Sequence, residues 1–154
     1  MDIEITEPQT EAEFEEYYHL RWDRLRRPQG QPEGSERDSP HEASSKHLIA
    51  KVDGRIVGAE CYVVVTGRRG RLRRRRVIVR SRQTAIVPEF ERSGVATALL
   101  RYVEERGREI RAYELIGNVR EEAVPWGKSM GYEIRGEGTT LYGTVKSYAM
   151  FKRL

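Results

Sequence analysis

Apolar and polar residues alternate from Ile3 to Thr6, which predicts a short strand ended by Pro8. Phe14, Tyr17, Tyr18, Leu20, Arg21 and Leu25 then recur at helical spacing, and Thr10 ahead of Glu13 supplies a capping box at the start of that helix. The helix must stop before Pro28. Residues 28–45 contain one alanine and no larger apolar residue, with three prolines, two glycines and four serines. This is a loop with room for one short helix. A polar stretch of that length inside a compact domain is either functional, such as a lid, or a disordered connection.

Strand patterns follow. His47 to Val52 and Arg55 to Val65 flank Asp53-Gly54, a strong two-residue hairpin turn. Gly67 to Gly70 reads as a second turn, and Arg71 to Val87 as one long, bent or bulged strand ended by Pro88. From Gly94 to Ile110 the period is helical, with Val95, Leu99 and Val103 on one face. Tyr113 to Asn118 is a buried strand, Glu121 to Met130 a second helix, and Tyr132 to Gly136 and Thr144 to Lys152 are closing strands. Strands in a row, then helix, strand, helix and strands, imply a mixed sheet with helices packed on it. The helix from Gly94 is long enough to be a parallel crossover.

Composition narrows the class. The chain has 154 residues, a length suited to one domain. No apolar run exceeds Cys61 to Val65, far short of the roughly 20 residues of a membrane span. The acidic start Met1-Asp2-Ile3-Glu4 lacks the order of a signal peptide. One cysteine excludes an internal disulfide and a multi-thiolate zinc site, and the three histidines have no metal-ligand spacing, so no metal is expected. A cytoplasmic single domain over residues 1–154 is the expectation. Its net charge is +4, carried by 23 arginines and only five lysines.

The stretch with most chemistry runs from Val87 to Leu100: a strand ends, a loop holds Ser93, Gly94 and Ala96, and an apolar helix begins. Backbone N–H groups of such a loop converge beside the positive end of the helix, where a pyrophosphate fits. Gly94 allows close approach, and Arg92 can add a charge-assisted bond. Small residues at a strand-to-helix connection are common in any case. Together with their context these residues resemble the GCN5-related N-acetyltransferase family. Val87, Pro88, Gly94, Ala96, Leu99 and Leu100 fall on its central motif, and Asn118, Ala123, Trp126, Gly131 and Tyr132 on a second one in the correct order.

The resemblance implies a GNAT-type α/β (α+β) fold. Its mixed, mostly antiparallel sheet of six to seven strands has helices on both faces and a V-shaped splay between the strands ending near Val87 and Asn118. It implies acetyl-CoA as co-substrate and direct attack of a primary amine on the thioester. The arm of the donor would pair with Ala85, Ile86 and Val87, one of whose N–H groups would polarise the thioester carbonyl. The pyrophosphate would rest on Arg92, Ser93, Gly94, Val95, Ala96 and Thr97, and Asn118 would bind the arm or a positioning water. Three departures stand out. Glu91 occupies a position usually held by Arg or Gln, Arg92 one usually held by Gly, and Gly127 that of the tyrosine which commonly protonates the leaving thiolate. Tyr142 and Tyr148 are the candidate replacements, each otherwise a core or rim aromatic. Strand 71–87 lacks a carboxylate, which leaves Glu60 on the preceding strand as the candidate base acting through water, or else a paired structural acid.

Two further readings stay open. A catalytically weak acetyl-CoA-binding sensor or partner protein is compatible with Glu91 and Gly127. An anion- or nucleic-acid-binding module could use the arginine-rich hairpin 68–82. Against nucleic acid, the alternation of a strand splits those arginines between two faces and no aromatic residue interleaves them. A solvated hairpin with ion pairs accounts for them. Trp22, Trp126 and Cys61 read as core residues, and Ser35, Glu36 and Asp38 as acids and a hydroxyl that could face a cationic amine. The resemblance also implies dimerisation through the last strands, and it leaves the acceptor, a small molecule or an exposed amine, unspecified.

Overall fold

The computed structural model describes residues 1–154. In chain order the elements are β1 (Glu4–Thr6), α1 (Glu11–Leu25), β2 (Lys46–Val52), β3 (Arg55–Arg69), β4 (Arg74–Ser81), β5 (Ala85–Ile86), α2 (Val95–Glu109), β6 (Glu114–Arg120), α3 (Val124–Ser129), β7 (Glu133–Glu137) and β8 (Ser147–Arg153). They form a mixed, mostly antiparallel sheet of eight strands with three helices. No helix is long and apolar enough to cross a membrane. The chain divides into two compact units, Met1–Val63 with Gln83–Val103 and Val64–Arg82 with Glu104–Leu154.

Eight strands replace the expected six or seven because residues 71–87 are not one strand. The turn lies at Gly70–Arg73, closed by the Arg73 N–H on the Gly70 carbonyl at 3.1 Å, and the strand then breaks over residues 82–84. There the side chains of Gln83 and Thr84 bond to Arg21 and Glu60. After the break β5 pairs antiparallel with β3, the strand that β4 also adjoins, through Gly58↔Ile86 and Ala59↔Ala85.

In the first unit, Asp53 and Gly54 both have left-handed backbones (φ 49° and 78°), as a two-residue hairpin turn requires. Tyr17 and Leu20 of α1 pack with Ile49, Ile56, Ala59 and Ala85. The other face carries α2, so helices cover both faces here. A Cβ on Gly58 would lie 2.8 Å from Val95 and 3.2 Å from Leu99, so only glycine lets α2 sit this close to β3. The Thr10 hydroxyl accepts the Glu13 N–H at 3.1 Å, as predicted. The Glu13 carboxylate faces the Thr10 backbone in return, and it also takes the Gln9 N–H at 2.8 Å and an ion pair from Lys51.

In the second unit, β4 and β6 pair in parallel from Ile78↔Glu114 to Arg80↔Ile116 and no further, whereas β6 continues along β8 to Arg120↔Ser147. Val79, Leu115 and Met150 are buried on the helix-bearing side. The expected helix 121–130 is a 3-10 turn followed by six α-helical residues. Glu104, within α2, is buried and held by the Tyr132 hydroxyl at 3.1 Å and the Lys152 ammonium at 2.9 Å.

Candidate active site

The first unit contains the strand-to-helix loop. The Val87 N–H bonds the Val57 carbonyl at 2.9 Å, so this donor is committed to β3. In an antiparallel pair such bonded positions alternate with positions whose backbone groups point away. Gly58↔Ile86 is the intervening pair. Of Ala85, Ile86 and Val87, Ile86 is therefore the residue whose N–H and carbonyl face away from β3.

After Pro88, a 3-10 turn leads to Arg92 and Gly94, both left-handed (φ 60° and 91°) on either side of Ser93. The Ala98 N–H bonds the Gly94 carbonyl at 2.9 Å, which starts α2. The first N–H groups of the helix have no carbonyl within it to bond, and left-handed residues interposed in the loop turn successive N–H groups to one side. Arg92, Ser93 and Gly94 are exposed, Ala96 and Thr97 half-buried and Val95 buried. A Cβ on Gly94 would meet nothing within 4 Å, so the space over the loop is open. This cradle fits a diphosphate. Ser93 turns its hydroxyl back onto the Phe90 carbonyl, which fixes the loop. The Glu91 carboxylate pairs with Arg24 of α1 at 2.5 Å, so its charge is countered locally.

Sequence reasoning missed the buried polar cluster beside this segment. Arg21 is completely buried and forks onto both Glu42 carboxylate oxygens at 2.9 and 3.0 Å. It also donates to the Glu36 carbonyl at 2.7 Å and the Gln83 side chain at 3.0 Å. Burial works to lower the Arg21 pKa, but the hydrogen bonds it donates to Glu42 outweigh it and hold the guanidinium above its ordinary value. The Tyr17 hydroxyl meets His47 Nδ1 at 2.6 Å, and burial pushes its pKa far up. Glu60 is buried at 1% exposure and accepts the hydroxyl of Thr84, the residue just before Ala85. The only signal in the sequence was Arg21 standing among apolar helix positions.

Arg21 also determines the state of loop 28–45. The loop folds into three single 3-10 turns at Arg27–Gln29, Ser35–Arg37 and Glu42–Ser44, anchored by Arg21 and by the Trp22 indole on the Gln31 carbonyl at 2.9 Å. It is not a disordered connection. Ser35 and Glu36 are buried, and the Glu36 carboxylate accepts the Gly34 N–H at 2.8 Å, so it does not face an incoming amine.

The second unit holds Asn118, Tyr142, Tyr148 and Gly127. Asn118 lies on β6 opposite Ala149 and is exposed. Tyr142 is left-handed (φ 52°) at the tip of a small hairpin closed by Leu141 and Val145. Tyr148 lies two residues before Met150 on β8, so both project to one face. That face meets α3, where a Cβ on Gly127 would lie 2.9 Å from the Met150 sulfur. A tyrosine at 127 has no room unless Met150 moves, and Tyr148 is the phenol on that face. On the opposite face a cavity of about 470 Å³ has Arg69, Arg80, Arg135, Asn118 and Glu137 in its walls.

One arginine of the hairpin, Arg69, reaches a buried acid that it shares with arginines of β7 and β8. Arg69, Arg135 and Arg153 converge on Glu114, whose side chain is completely buried, at 2.8, 2.6 and 3.5 Å. Burial raises the Glu114 pKa, but the hydrogen bonds from Arg135 and Arg69 outweigh it and hold the carboxyl below the usual range. Strand alternation does not keep these arginines from aromatic residues. Arg76 and Arg153 stack over Tyr113 at 4.7 and 4.2 Å, and Arg135 over Phe151 at 4.1 Å. Tyr113 stands just before β6, and Phe151 lies on β8.

This architecture is that of acetyltransferases. One similar structure is an aminoglycoside 6'-N-acetyltransferase complexed with coenzyme A, at 12% identity over 99% of this chain and 97% of that one, with a TM-score of 0.75. A GNAT family acetyltransferase from Elizabethkingia anophelis with acetyl-CoA bound has 13% identity over 99% and 98% of the two chains and a TM-score of 0.73. The ribosomal-protein-S18-alanine N-acetyltransferase from Escherichia coli has 15% identity over 99% and 94%, with a TM-score of 0.72. The model of the acetyltransferase (GNAT) family matches residues 9–132, and the chain belongs to that family.

Proposed function

We propose that the protein moves the acetyl group of acetyl-CoA to a primary amine. The observation that carries this reading is the open loop from Arg92 to Thr97, with left-handed Arg92 and Gly94 at the start of α2. It supports diphosphate binding by backbone N–H groups and the helix end, with Arg92 as the cationic side chain. Ile86 is the backbone donor for the thioester carbonyl, and Asn118 binds the arm. Glu60 acts through Thr84 as a positioning residue for Ala85–Val87.

In the reaction the neutral amine nitrogen attacks the thioester carbon. A C–N bond forms, the C–S bond breaks, the amine loses a proton to solvent and the CoA thiolate takes one up. Tyr148 supplies that proton and regains one from solvent. A thiol has a pKa of about 8.5, so its thiolate leaves tolerably near neutral pH. Much of the acceleration then comes from positioning, on the order of 7–11 kcal/mol.

Gly127 against Met150 favours a second reading, an acetyl-CoA-binding protein with slow turnover. Calorimetry with acetyl-CoA followed by thiol release across an amine panel tests both. Micromolar binding with amine-dependent thiol release is expected. Binding without release selects the second reading, and absence of binding overturns both.

A further inference from the structure

An open cavity of about 550 Å³ lies wholly within the second compact unit, with Arg69, Arg71, Arg73, Arg135, Arg153 and Tyr113 in its walls. No carboxylate lines it. The one acid that these arginines share is Glu114, which is completely buried and takes Arg69, Arg135 and Arg153 together. The side chains of those three remain 32%, 34% and 53% exposed, so each still reaches solvent. Arg71 and Arg73 are exposed and make no ion pair. Five guanidinium groups against one carboxylate leave an excess of four positive charges around the cavity. Like charges gathered this closely repel one another, and a bound anion relieves the repulsion.

The arginines are held in place before any ligand arrives. Arg69 donates to the Arg68 carbonyl at 2.9 Å as well as to Glu114, and Arg135 forks onto both Glu114 oxygens. Arg153 bonds the Tyr113 hydroxyl and stacks on its ring. A Cβ on Gly70 would lie 3.0 Å from that hydroxyl, so glycine lets the Gly70–Arg73 turn close against the cavity wall. Side chains already fixed lose little freedom on binding. These bonds use only part of each guanidinium's donors. The remaining N–H groups have the planar geometry that matches pairs of phosphate oxygens. The volume is that of a small-molecule site, and the charge excess matches several linked phosphates better than one.

We propose that this cavity is an oligophosphate site, which takes a chain of linked phosphate groups, free or at the end of a nucleoside polyphosphate. Arg71 and Arg73 commit no charge inside the protein and contribute most to binding. Arg69, Arg135 and Arg153 present a fixed cationic surface to the chain. The proposal does not rest on the acetyltransferase reading.

The test is calorimetric titration of the CoA-saturated protein at physiological salt, without divalent metal, using tripolyphosphate, ATP, orthophosphate and a short single-stranded RNA. Tripolyphosphate or ATP should bind at least about ten-fold more tightly than orthophosphate. The double variant Arg71→Gln, Arg73→Asn should lose about ten-fold or more of that affinity while its melting temperature and CoA affinity stay unchanged. Asparagine tolerates the left-handed backbone at position 73 (φ 49°). Tighter binding of ATP identifies the nucleoside form, and tighter binding of tripolyphosphate the free chain. Equal binding of orthophosphate, no binding of tripolyphosphate or ATP, or unchanged affinity in the folded double variant overturns the proposal. Tripolyphosphate binding that CoA abolishes also overturns it, because the phosphates then occupy the donor's own site. RNA bound more tightly than both compounds overturns the small-molecule site in favour of a nucleic-acid surface. Failure of CoA itself to bind counts against the acetyltransferase reading alone, and the same titrations are then read on the free protein.

Discussion

Arg24 on α1 holds the carboxylate of Glu91 at 2.5 Å, at the entrance to the loop that starts α2. Glu91 stands where the family resemblance implies Arg or Gln, and the pair counters the repulsion it would exert on the diphosphate of the proposed donor. Arg24→Ala is therefore expected to weaken acetyl-CoA binding about three- to ten-fold, a modest electrostatic effect of about 1 kcal/mol. Glu91→Gln in the same protein should restore the affinity. Calorimetry at low and high salt checks this, and the loss should shrink with salt.

Gly94 has a left-handed backbone with open space above it. Gly94→Trp should cost on the order of 1–2 kcal/mol in backbone strain, so the protein still folds. Acetyl-CoA affinity should fall by more than ten-fold because the indole fills the cradle. Thermal melts and calorimetry separate the two effects, and unchanged affinity would remove the loop from the binding site.

Gly127 and Met150 explain the missing tyrosine. Gly127→Tyr alone should destabilise the protein by about 1–3 kcal/mol through overpacking, and Met150→Ala should relieve part of that cost. Tyr148→Phe should lower kcat roughly 100-fold with KM for acetyl-CoA unchanged, the lower end of general-acid effects. The loss should be greatest on the acid side of the pH profile of thiol release.

Arg21 is buried with Glu42 and three further acceptors, the Glu36 carbonyl, the Gln83 side chain and the Tyr17 hydroxyl. Removing one partner of such a cluster leaves the other charge stranded. Arg21→Ala is expected to cost about 3–5 kcal/mol in urea unfolding and to expose loop 28–45 to proteolysis.

The Glu114 carboxyl has its pKa depressed in the folded protein. Its contribution is therefore present above the ordinary glutamate value of about 4.3 and is lost as pH falls through the lower folded value. Glu114→Gln should destabilise the protein at pH 7 by about 1–3 kcal/mol, since the three arginines are each about a third to a half exposed and screened. The gap between variant and parent should narrow in melts carried to pH 3.

Local chemistry was legible in the sequence. The Asp53-Gly54 turn, the Thr10 cap, the parallel crossover through α2 and the loop at Gly94 all depend on backbone preference and hydrophobic period over a few residues. The sequence by itself determined the fold class and the place of the strand-to-helix loop at Gly94. Tertiary structure decided the rest, because it depends on partners far apart in the chain. The strand 71–87 breaks because Gln83 and Thr84 bond to Arg21 and Glu60. Loop 28–45 is ordered because a guanidinium on α1 needs buried acceptors, and Glu42 and Glu36 supply them. The hairpin arginines gain meaning only when β6, β7 and β8 bring Glu114, Arg135, Tyr113 and Phe151 beside them. A buried charge is stable only with a partner, and a single chain read in order does not show which partner the fold will deliver.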